Sequence, residues 1–332
     1  MERKLPAVLP PLPAGEPNNR LGFARWLVNG KHPLTGRVWV NRAWERLFGT
    51  GLVKTSENFG SQADWPSHPE LLDWLAVDFV ERKWDMKGML KFIMMSRAYR
   101  QSAAVTADKL EKDPENRLVS RGPRFRLSAE TIRDQALATS GLLIPKIGGP
   151  SVKPYMPEAV WDETSVYGDM RNYKADTGEG LYRRSLYTIW KRTAAPPSML
   201  LFDSATREVC TVKRSRSNTP LQALSLLNEV TYIEAARKLA EATLRQPGDL
   251  DRRLAWAFRR VTCRELQADE AKVLRAGLEK RLAAFRADQP SAQKLLATGR
   301  SPAPTDLDAA ELAAWTVTAN ILLNLDETIT RE

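Results

Sequence analysis

Apolar residues recur at spacings of three and four along most of this 332-residue chain, with proline and glycine in the intervals, so the predicted elements are helices. Asn19 is placed to cap a helix through LGFARWLVNG, with Leu21, Ala24, Trp26, Leu27 and Val28 on its buried side and Gly30 ending it. Thr35 opens a second helix, in which Val38, Trp39, Ala43, Leu47 and Phe48 share a face before Gly49 and Gly51 stop it. Ser67 and Glu70 have the spacing of a capping box around Pro69, which predicts a helix to about Arg82. Asp85 caps the next, whose Met86, Met89, Leu90, Phe92, Ile93 and Met94 make a broad apolar face better suited to filling core gaps than to holding a cofactor. Ser128 then opens a helix that Gly141 closes.

Residues 142–180 are rich in proline, glycine and aspartate, which predicts a long irregular connection of the kind that often carries binding loops. In LYRRSLYTIWK, residues 181–191, β-formers and aromatics crowd a run bounded by Gly180 and Pro196, and this predicts a strand with a possible partner near Val209 to Val212. Thr219 and Gln222 repeat the capping-box spacing and launch a long helix to Leu244, with Leu221, Leu224, Leu227 and Ile233 inward. Helices over 250–262 and 267–286 follow, and a last one begins at DAAELAAW. The expected fold is mainly α: a multi-helix orthogonal bundle with a small β element near 181–191 and long irregular loops. Its expected parts are a proline-rich linker over 1–18, an N-terminal helical subdomain over 19–141, a loop region over 142–180, and a short β element with a C-terminal helical subdomain over 181–332.

A hydrophobic content of 43% with 27% charged residues rules out disorder as the global state. The net charge of +10 suits an anionic partner, yet the arginines are dispersed along amphipathic helices, so no nucleic acid is expected. No apolar run reaches the roughly 18 residues of a membrane span. The start of the chain carries five prolines by Pro17 and no apolar core, so it reads as a linker rather than a signal peptide. Cys210 and Cys263 lie in no metal or haem motif, and two buried free thiols are expected in preference to a disulfide.

Candidate chemistry is sparse. His68 falls in the first turn of its helix, where a neutral imidazole could serve as a base, with Asp203 or Glu70 as a carboxylate partner. The competing reading is that His68 only shapes the turn before Pro69. His32 precedes Pro33 in a loop with no partner evident from spacing, and two histidines so far apart form no metal-ligand set. Asp134, Asp203, Glu208, Asp326 and Glu327 are expected chiefly in ion pairs with arginine. Arg37, Asn41, Arg42, Arg133, Asp134 and Arg184 are the candidate polar interior. A strand at 181–191 would put Arg183 and Arg184 on opposite faces, and the inward one is expected to pair with Asp203.

The succession NRLGFARWLV, HPLTGRVWVNRAWERLFGTGLVKTSENFG, PSHPELLDWLA, SRAYRQS, ENRL, SAETIRD, YRRSLY, TPLQALSLLN and LLNLDE, running from about Pro6 to Arg331, resembles the family known as domain of unknown function 1553, or planctomycete-specific domain one. The resemblance implies a C-terminal module of large exported, extracytoplasmic (periplasmic) proteins, preceded by another domain of unknown function and often by a c-type cytochrome domain. It implies partners among those upstream domains or neighbouring proteins, and haem upstream only, with no cofactor in this chain. Two functions remain open at this point: a non-catalytic docking or accessory module, and a hydrolase-like or carbohydrate-active module using His68. A redox-accessory role would rest on the cytochrome neighbours alone.

Overall fold

The structure, a computed structural model, describes residues 4–157, 160–161, 173–191 and 193–331. It is mainly α, with about 51% of the residues helical. The chain divides into two compact units, one ending at Phe125 and one spanning Arg126–Arg331.

The first unit contains α1 (Arg20–Val28), α2 (Thr35–Phe48), α3 (Pro69–Glu81), α4 (Met86–Met94) and α5 (Ala107–Lys112). Its core gathers Val40, Trp44 and Phe48 of α2 with Leu72, Leu75 and Phe79 of α3 and Met89 and Ile93 of α4. Trp39 stacks on Phe79 at 4.0 Å, joining α2 to α3, and Trp44 stacks on Phe48 at 4.1 Å along α2 itself. Asn19 caps α1 by accepting from the amides of Leu21 and Gly22. The helix buries Gly22 and Trp26, however, and leaves the expected inward residues Leu21 and Val28 exposed. The Ser67–Glu70 capping box does not form, because Ser67 Oγ bonds His68 Nδ1 at 3.0 Å while Glu70 is exposed. Pro69 at the first helical position sets the start of α3 instead.

The second unit contains α6 (Ala129–Ser140), α7 (Pro197–Leu201), α8 (Pro220–Asn228), α9 (Val230–Leu244), α10 (Leu250–Thr262), α11 (Ala268–Ala287), α12 (Gln289–Leu296), α13 (Ala309–Leu323) and α14 (Asp326–Ile329). The centre is α9 against α13, where fully buried Ala235, Ala236, Ala240, Ala313 and Ala314 let the helix backbones approach closely. α6, α10, α11 and α12 pack around this pair. The long helix expected from Pro220 to Leu244 is broken at Glu229, whose ψ of 138° is extended.

The β element lies elsewhere than expected. Residues 181–191 contain 3-10 turns and isolated bridges, Ile144 to Arg183 and Val152 to Thr188, and Val209–Val212 is exposed chain without a strand. The two-stranded sheet pairs β1 (Phe125–Arg126) with β2 (Thr330–Arg331).

Candidate functional site

In the first unit the polar candidates have structural tasks. Asn41 is fully buried on α2 and mimics a strand neighbour, donating to the Val53 carbonyl at 3.0 Å and accepting the Val53 amide at 2.8 Å. Its side chain also donates to Ser56 Oγ at 3.2 Å. Arg42, adjacent in sequence, points the other way and is exposed, so it takes no part in the interior. Arg37 reaches Asp73 on α3 at 2.6 Å and the Pro33 carbonyl at 2.5 Å. His68 is half-buried, with Ser67 Oγ as the partner of its Nδ1. His32, which spacing left without a partner, accepts at Nδ1 from the amides of Leu34 and Thr35 and from Thr35 Oγ1 at 2.9–3.2 Å, and so caps α2.

The second unit holds the denser cluster. Arg133 on α6 is buried, and its guanidinium donates to the carbonyls of Leu181 at 2.7 Å and Arg183 at 3.0 Å and to Ser185 Oγ at 3.2 Å. Beside it Asp134 accepts the Ser185 amide at 2.7 Å and faces Arg184 Nε at 3.6 Å. The expected pairing of Arg183 or Arg184 with Asp203 is therefore not made. Arg184 is exposed and associates with Asp134, whereas buried Arg183 donates to the carbonyls of Lys146, Gly148 and Pro150 at 3.0, 2.5 and 3.2 Å. Its guanidinium also lies 3.8 Å from the Tyr187 ring centroid. Backbone oxygens thus take both terminal nitrogens of a buried guanidinium without a carboxylate. Asp203 sits at a φ of 60° and accepts from Ser217 N and Oγ at 2.6 and 2.9 Å and from Ser215 Oγ at 3.2 Å, which ties its own loop together.

Burial lowers the pKa of Arg133 and raises those of Glu229 and Tyr232, while Glu229 and Asp134 pull that of Arg133 back up. Glu229 accepts from Thr231 Oγ1 at 2.8 Å at the start of α9. Further along α9 lies a network that the sequence reading missed. Buried Glu234 accepts from Tyr182 Oη at 3.0 Å and from the Ser301 amide at 2.6 Å. Buried Arg237 donates to Glu241 at 2.9 Å, to the Ser301 carbonyl at 2.6 Å and to the Pro302 carbonyl at 3.2 Å. Burial raises the pKa of Tyr155, whose hydroxyl accepts the Arg300 amide at 2.7 Å. In sequence, Glu234, Arg237 and Glu241 carry the i, i+3, i+7 spacing of a solvated ion-pair stripe, and this disguised their interior position.

These groups hold loops against helices. A crevice between α6, α9, α13 and α14 is mostly apolar, lined by Ile132, Ala136, Tyr232, Leu323 and Ile329 with Gln135 and Thr328 as its polar members. Among the described residues no three His, Cys, Asp or Glu side chains gather as a metal site, and no helix is long and apolar enough to cross a membrane. Cys210 and Cys263 are free, but exposed rather than buried as expected.

The model of a protein family of unknown function (DUF1553), PSD1, matches residues 19–278, and the chain belongs to that family. No curated protein and no solved structure matches it.

Proposed function

We propose that this member of the family is a non-catalytic docking or accessory module that binds an upstream domain or neighbouring protein of an exported assembly. One observation carries the reading: α8 buries Leu226 but turns its other three leucines outward. It buries Gln222, which donates to the Leu201 carbonyl at 2.9 Å and Ser217 Oγ at 3.0 Å, and turns Leu221, Leu224 and Leu227 to solvent at 60%, 55% and 41% exposure. The leucines expected to face inward thus form an outward stripe at spacings of three. An apolar stripe of this kind on a short helix suits burial by a partner. The buried arginines support the same reading, because their terminal guanidinium nitrogens donate to carbonyls of the chain itself.

Titration of the chain with the upstream domain that accompanies this family, followed by calorimetry, tests it. Binding is expected, and Leu224→Asp should weaken it by roughly tenfold or more, about 1.4 kcal/mol, with an unchanged helical circular-dichroism spectrum. Absence of heat with the intact chain, or full binding by the variant, refutes the reading.

A further inference from the structure

We propose that α3 and α4 form a two-fold interface through which two copies of this chain associate. Leu72, Leu75, Ala76 and Phe79 are the buried residues of α3, which leaves Glu70, Trp74, Val77 and Glu81 on its outer side. Met89 and Ile93 are those of α4, which leaves Lys87, Lys91, Met94 and Met95 outward. Between the helices Phe92 meets Trp74 with ring centroids 5.6 Å apart, and both remain open to solvent at 45% and 51% exposure. Exposed tryptophan, phenylalanine and methionine side by side have the composition of an interface centre.

The charges around this apolar strip identify its occupant. α3 carries Glu70, Asp73, Asp78 and Glu81 with no lysine or arginine, and α4 carries Lys87 and Lys91 with no acid. Asp73 and Asp78 are occupied by Arg37 and Arg82 at 2.6 and 2.7 Å. Among the described residues Glu70, Glu81, Lys87 and Lys91 form no ion pair. A surface with an acidic edge and a basic edge flanking an apolar strip is complementary to itself. A two-fold rotation lays α3 of one copy on α4 of the other and closes the contact. An anionic bilayer would attract α4 and repel α3, and a partner of one charge sign would match only half of the face. This association uses a different surface from the leucine stripe of α8 and does not depend on the docking reading.

Sedimentation velocity of the full chain over a micromolar concentration series tests the proposal with two variants altered only at exposed positions. Glu70→Lys with Glu81→Lys leaves the face predominantly basic, because the remaining acids Asp73 and Asp78 are held by Arg37 and Arg82, and Lys87→Glu with Lys91→Glu leaves it predominantly acidic. The intact chain is expected to dimerise and each variant alone to dissociate at least roughly tenfold more readily. An equimolar mixture of the two variants is expected to recover the dimer, because opposite faces now meet. An intact chain that stays monomeric overturns the proposal, as does dimerisation retained by both variants or failure of the mixture to recover it. Co-sedimentation of a monomeric intact chain with phosphatidylglycerol vesicles would assign α4 to a membrane surface instead.

Discussion

The ring of His32 caps α2 only while its Nδ1 atom is unprotonated, because that atom accepts two amide hydrogens and a hydroxyl. Burial of the ring lowers its pKa from 6.5. As pH falls, the unfolded chain therefore takes up this proton before the folded one does. The cap's contribution is complete above about pH 6.5 and declines below it. Urea unfolding at about pH 7.5 and about pH 5.5 should show the wild type losing stability at the lower value, with a smaller loss in His32→Asn, whose amide oxygen does not titrate in this range. His32→Ala should cost about 1 kcal/mol at the higher pH. Asn41 and Arg133, read from the sequence as members of a polar interior, are both buried, and their partners were not legible there. Arg42 lies about 100° further around α2 than Asn41, on the exposed side of the helix.

Among the elements, start signals were legible and capping bonds were not always so. Pro69 and Pro220 both stand at the first helical position, although neither proposed capping box around them forms. Their side chains found other partners: Ser67 bonds His68, and Gln222 reaches Leu201 and Ser217. The strand expected at 181–191 fails for a related reason, since Arg133 takes the carbonyls of Leu181 and Arg183 that a neighbouring strand would need. Helix α11 does have a capping box, from Gln267 and Glu270, reinforced by Arg264, which also grips Glu327 in the first turn of α14 at 2.7 Å. Arg264 holds the carboxyl of Glu270 down at about 2. That depressed value gives stability above the usual carboxylate range, near 4.5, which is lost as pH falls through about 2. The two side chains are 39% and 35% exposed, so screening limits the effect to about 1 kcal/mol or less. Glu270→Gln should lower stability by up to about 1 kcal/mol near neutrality in urea unfolding followed by circular dichroism, and its difference from the wild type should shrink as pH falls towards 2.

At the scale of the whole chain, helical periodicity announced the mainly α architecture, and the family resemblance was visible in the succession of motifs. What remained hidden was which apolar stripes would stay in water, because periodicity reports a two-sided helix but not which side a partner will cover. The same limit explains the cysteines. Cys263 was expected inside, but it ends α10 in the left-handed conformation at a φ of 61° and is exposed, as is Cys210. Both thiols should therefore react with a disulfide reagent such as Ellman's in the native protein, and a full second equivalent released only in denaturant would contradict the structure. The grip of Arg133 and Arg183 has a wider consequence. Arg133 fixes the backbone of Arg183, whose side chain in turn fixes carbonyls at Lys146, Gly148 and Pro150. Anchors that read carbonyl oxygens are indifferent to the residues that own them. Apart from Gly148 and Gly149, whose positive φ favours glycine, the side chains of this loop can therefore be exchanged without loosening the bonds that set its path.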